Sequence, residues 1–122
     1  MNDKRGDGKR IKTGIGEFLI SYDCPVEYVG FPILCDLLKA ALENYNDLSL
    51  NLKSIYLTVA EQHKITRLCV ERNLRTLVKK WMSQPKFKEL FDKELTNAQL
   101  LHILARKLRY LNCSVYDTLL MP

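Results

Sequence analysis

No apolar run in this sequence approaches the ~20 residues that a membrane-spanning helix requires, so a transmembrane segment is excluded. The opening stretch, MNDKRGDGKRIKTG, is polar, glycine-rich and charged, where a signal peptide carries an apolar core, and the expected location is cytoplasmic. Cys24, Cys35, Cys69 and Cys113 have no short C-x-x-C spacing, and His63 and His102 are not paired. Zinc sites need ligands that are close or patterned in sequence, so no metal is expected and the thiols are read as reduced and mostly buried. Neither histidine accompanies a serine or cysteine nucleophile motif. There is no P-loop, no dinucleotide fingerprint and no metal-binding helix, and Gly14-Ile15-Gly16 is too short to count as one of these. The carboxylates scatter over what read as helix surfaces. Catalytic residues, cofactors, a small-molecule substrate and a membrane partner are all absent from this reading.

What remains has the composition of an ordinary globular domain, 47% hydrophobic and 27% charged. At 122 residues it is long enough for one core and too short for two. The net charge of +5 matters less than its distribution. Residues 61–88 carry eight Lys/Arg against two acids, whereas residues 17–53 carry six acids against two lysines. A cationic half beside an acidic half is the electrostatic footprint of a face that meets a polyanion.

Hydrophobic spacing divides the chain into helices. Residues 1–14 show no apolar period and read as a flexible basic arm or linker, with Lys4, Arg5, Lys9, Arg10 and Lys12 available to phosphates. Residues 15–122 form the domain. Ile15, Phe18, Leu19 and Tyr22 keep helical spacing, and a strand there would have no partner. Residues 32–45 follow, burying Ile33, Leu34, Leu37, Leu38, Ala41, Leu42 and Tyr45 as the central strut, with Pro32 in the first turn. Ser49 or Asn51 caps the next helix. After Pro85, a short helix over 86–95 turns Phe87, Leu90 and Phe91 inward. Thr96-Asn97-Ala98-Gln99 has the form of a capping box. The last helix runs to about residue 111 on Leu101, Leu104, Ala105 and Leu108, and its Arg106, Lys107 and Arg109 are solvated charges or, alternatively, phosphate contacts. The apolar tail after it is suited to packing back on the domain or meeting a second copy. The fold class is therefore all-α, a compact bundle of about five to six helices.

Residues 56–82 organise this bundle. A helix over 52–62 lays Leu52, Ile55, Tyr56, Val59 and Ala60 on one stripe. His63-Lys64-Ile65-Thr66 is the length of a tight helix–turn–helix connection, without the glycine that many such turns carry. From there residues 67–82 wrap Val70, Leu74, Leu77, Val78 and Trp81 onto one side and Arg72, Arg75, Thr76 and Lys79 onto the other, with Thr66 as N-cap. A short packed helix followed by a longer one with a cationic outer face is the geometry that enters a DNA major groove.

This segment resembles the helix–turn–helix of the C-terminal effector domain of the master response regulator that starts sporulation in endospore-forming bacteria. The likeness rests on Lys53, Tyr56, Ala60, Thr66, Val70-Glu71-Arg72, Arg75 and Trp81 at that family's spacing. Pro25 and Gly30 stand where the family has a proline and a glycine. Thr96-Asn97 and Lys107-Leu108-Arg109 resemble its TN…KLR ending, so the match covers about residues 15–110. The resemblance implies double-stranded DNA as partner, a homodimer on repeated sites, and Glu71, Arg72 and Arg75 on the reading helix. Family members carry a receiver domain upstream of a linker, and none is present here, which fits either a fragment or a stand-alone relative. Cys69 stands where the family usually has arginine, which removes one expected DNA contact.

The expected function is transcription regulation by sequence-specific DNA binding. Arg72 and Arg75 are placed for guanine edges. Glu71 either accepts from cytosine N4 or orients Arg72 or Arg75. Arg67 substitutes for the arginine that Cys69 displaces. Lys53, Lys64, Lys79 and Lys80 suit backbone phosphates, which position without specifying. The alternative is a helical protein–protein interaction module that kept the fold without DNA binding. Cys69, the acidic half and the absent receiver favour that alternative.

Overall fold

The computed structural model describes residues 7–43 and 51–120, with side chains over 14–43 and 51–111. A helix buries one stripe when it lies on a surface and most of its circumference when other helices surround it. Residues Gly30–Glu43 form α2, with Gly30, Ile33, Leu34, Cys35, Leu37, Leu38, Ala40 and Ala41 all buried. Around it stand α1 (Asp7–Ser21), α3 (Leu52–His63), α4 (Arg67–Trp81) and α6 (Asn97–Leu120), each packed against α2. The short α5 (Phe87–Leu90) joins α4 to α6. Among the described residues there is no strand, and the fold is the helical bundle its periodicity predicts.

The bundle differs from expectation mostly at element ends. α1 begins at Asp7, so the backbone of residues 7–14 is helical rather than an irregular arm. Its glycines and charges conceal that start, since a helix carrying no apolar period gives no sequence signal. Ile15 and Leu19 are buried and Phe18 and Tyr22 pack against the core, which settles the helix-or-strand ambiguity. α5 is a single turn instead of residues 86–95. Phe87 and Phe91 nevertheless stack with Trp81 at centroid separations of 5.3 and 5.8 Å. α6 continues past residue 111 to Leu120. Tyr45 and Ser49 lie outside the described residues.

Caps punctuate the chain where the sequence places them. The Asn51 side chain accepts from Ser54 N–H at 3.1 Å and that of Thr66 accepts from Cys69 N–H at 3.1 Å. Thr96 and Gln99 close the capping box in both directions, at 3.0 and 3.2 Å. α1 and α3 both end in left-handed residues that are not glycine, Asp23 at φ 63° and Lys64 at φ 57°. At each, the following amide reaches back five residues, Cys24 to the Leu19 carbonyl and Ile65 to the Ala60 carbonyl.

Two contacts fix α4 in the bundle. A Cβ on Gly30 would stand 2.4 Å from the Asn73 carbonyl oxygen and 2.8 Å from Leu77 Cβ, so only glycine lets α2 approach α4 this closely. At the other end the buried Trp81 indole donates to the Tyr22 carbonyl at 2.8 Å, joining α4 to the end of α1.

Candidate nucleic-acid interface

The outer face of α4 is defined by what its inner face does. Val70, Leu74, Leu77, Val78 and Trp81 are buried on α2, α3 and α6. That orientation forces Leu68, Arg72, Arg75, Thr76, Lys79 and Lys80 outward, and all six are exposed. Thr66 caps the helix, and its first turn holds no acid to offset the positive end of the helix dipole. Arg67 adds a further positive charge there. Lys79 and Lys80, in the last turn, sit where the dipole favours cations.

The predicted site residues fall into two groups. Leu68, Glu71, Arg72 and Arg75 line one open groove of about 230 Å³. Arg67 joins it through its Nε, which lies 3.4 Å from the Glu71 carboxylate. Lys53 in the first turn of α3, Lys64 at its left-handed end and Lys79 on α4 are exposed but lie outside that groove. Where the sequence has Glu71 orienting Arg72 or Arg75, the ion pair goes instead to Arg67. All three arginines are within one helical turn of Glu71, so spacing alone does not choose among them. The pair is worth only a few tenths of a kcal/mol, being partly exposed and in the weaker Arg-before-Glu order. Arg67 is therefore readily released to another anion.

Behind the groove, Tyr56 of α3 is buried at 8% exposure. Burial pushes its phenol up to about 12, with the Glu71 carboxylate adding to the rise and Arg75 opposing it. The half-buried Cys69 thiol is held below its ordinary range, chiefly by a hydrogen bond from the Thr66 hydroxyl. Burial pushes the Cys24 thiol up, and Cys35 adds to that.

Two supports of the motif carry no sequence signal. Asn97 at the start of α6 donates to the Glu71 carbonyl at 3.3 Å, bracing α4. His63, the last residue of α3, meets Asp36 of α2 at 2.8 Å. Partners 26 and 27 residues apart lie beyond any local pattern.

Two packed helices joined by the turn Lys64-Ile65-Thr66, the second with a buried back and a cationic front, make this a helix–turn–helix domain. The family model described as "Sporulation initiation factor Spo0A C terminal" matches residues 15–108, and the chain belongs to that family. It is the family of the DNA-binding domain of the sporulation regulator, and not an enzyme family. No curated protein and no solved structure matches the chain. Among the described residues, no helix is long and apolar enough to cross a membrane.

Proposed function

We propose that the chain is a transcription regulator that binds double-stranded DNA in a sequence-specific way, laying α4 in the major groove. The observation that carries this reading is the solvent exposure of Arg72 and Arg75 on a helix whose opposite face is wholly buried. Such a rod has a fixed rotation, so its guanidinium groups are presented to a partner without further ordering of the backbone. Each guanidinium can donate twice to the O6 and N7 acceptors of a guanine. Glu71, once Arg67 turns to a phosphate, is free to accept from cytosine N4. Lys53, Lys64 and Lys79 contribute phosphate contacts that set register. Family membership supports a second copy docking on a repeated site, which makes the working unit a homodimer on DNA. Residues 1–14 are proposed to serve as a basic arm or linker of the domain, residues 15–122.

The test is a fluorescence-anisotropy titration of the whole chain against DNA selected from a random pool, at two salt concentrations. Several phosphate contacts make affinity fall by orders of magnitude as salt rises from 50 to about 200 mM. Arg72→Ala is expected to cost ~1–3 kcal/mol on the selected site and to relax base preference there. A chain that binds no DNA at either salt is instead the interaction module, and the reading fails.

A further inference from the structure

Leu68 is 61% exposed, yet it shares a groove with the charged side chains of Glu71, Arg72 and Arg75. Solitary exposed leucines are common and by themselves mean nothing. This one is set apart by its neighbours. It belongs to the same helical face as Arg72 and Arg75, four and seven residues on, and with them and Glu71 it lines the groove on α4. The core gains little from it, since the buried stripe of α4 is Val70, Leu74, Leu77, Val78 and Trp81. It occupies the first turn of α4, and residues near the N-terminus of a recognition helix are the ones that reach base edges.

The floor of the major groove offers donors, acceptors and one apolar group, the C5-methyl of thymine. An isobutyl group pressed against polar base edges would desolvate them without replacing their hydrogen bonds. Against a thymine methyl it excludes water from apolar surface on both sides. Resting on the reading of α4 as the groove-entering helix, we propose that Leu68 is a specificity-determining residue that selects thymine through its methyl group. The thymine lies next to the base met by Arg72, because one helical turn separates the two side chains. Leu68 and Arg72 together then specify a thymine beside a guanine, one by hydrophobic contact and the other by hydrogen bonds. Neighbouring phosphates, held by the flanking cations, keep the apolar contact in register.

The experiment replaces each thymine of the selected site in turn by deoxyuridine, which deletes only the methyl. Dissociation constants are then measured for the unaltered chain and for Leu68→Ala. At one thymine per half-site, the unaltered chain is expected to bind deoxyuridine DNA about four- to fifteenfold more weakly, the worth of one or two buried carbons. Leu68→Ala should bind thymine DNA more weakly by a similar factor and no longer distinguish the two bases at that position. Its exposure means the substitution leaves folding intact, which circular dichroism checks. The proposal is overturned if no thymine in the site responds to removal of its methyl, or if Leu68→Ala keeps the full discrimination. Both of those outcomes leave DNA binding standing. Absence of binding to any DNA overturns this proposal together with the reading it rests on.

Discussion

Tyr56 shows how closely the two helices of the motif are coupled at the level of one side chain. Its ring is buried against the core while its hydroxyl feels the charges of Glu71 and Arg75 on the next helix. In the unfolded chain the phenol titrates near its ordinary value of 10.0, and in the fold it is raised to about 12. A raised value means that the neutral phenol is favoured by folding. The associated stability is complete below about pH 10 and is lost as pH rises through 12. Urea unfolding is thus expected to lose on the order of 2 kcal/mol between about pH 9 and 11.5 from this group. In Tyr56→Phe that share of the loss should vanish, leaving only the decline due to other groups. An identical pH profile in both chains would remove Tyr56 from the account. At this scale the sequence is legible for burial and illegible for partners. Period alone puts Tyr56, Val70 and Trp81 inside and Arg72 and Arg75 outside. It does not say that Glu71 pairs with Arg67, because that choice is made by rotamers within a single helical turn.

Gly30 decides the crossing of α2 and α4, and the sign of its substitution follows from comparing two effects. Alanine inside a helix is ordinarily worth up to about 1 kcal/mol over glycine. Here the added methyl meets a backbone carbonyl oxygen at 2.4 Å, which cannot move aside as a side-chain tip can. Overpacking of that kind costs ~1–3 kcal/mol. Gly30→Ala should therefore lower the thermal midpoint by several degrees, and a rise would show that α4 yields without strain. Lys64 argues the converse case. It holds a left-handed conformation at the end of α3, disfavoured for any residue with a Cβ by roughly 1 kcal/mol. Lys64→Gly is expected to raise stability by up to about that amount while weakening DNA binding, because the proposed phosphate contact goes with the side chain. Opposite movements of the melting midpoint and the DNA affinity would separate the two roles; parallel losses would mean that Lys64 is needed for the turn itself. The elements with strong apolar periods and caps, α3 and α4, are readable from sequence almost to the residue, whereas α2 begins two residues before the expected 32–45. The start of α1 is not, since residues 7–14 carry no apolar period to mark it, and α6 runs beyond the expected end at about residue 111.

Across the described residues of the whole molecule, charge of one sign gathers on particular elements. Glu17, Glu27 and Glu43 stand exposed on α1, α2 and their connection, while the exposed charges of α4 and the turn before it are all cationic. Such a separation orients an approaching polyanion before any contact is made. It also explains why the sequence discloses the class of partner more readily than the chemistry of recognition. Charge along the chain survives folding as charge on a face wherever one helix carries most of it. Direct base reading, in contrast, depends on which few side chains of that face reach furthest. Lys79 distinguishes these contributions experimentally. It lies outside the groove of Leu68, Glu71, Arg72 and Arg75, in the last turn of α4, and its proposed contact is with a phosphate. Lys79→Ala should then weaken selected and random DNA by the same factor and reduce the slope of log affinity against log salt by about one. Arg72→Ala, measured beside it, should affect the selected site more than the random one. If Lys79→Ala discriminates between the two sequences while Arg72→Ala does not, α4 lies in the groove the other way round, with its C-terminal end against the bases.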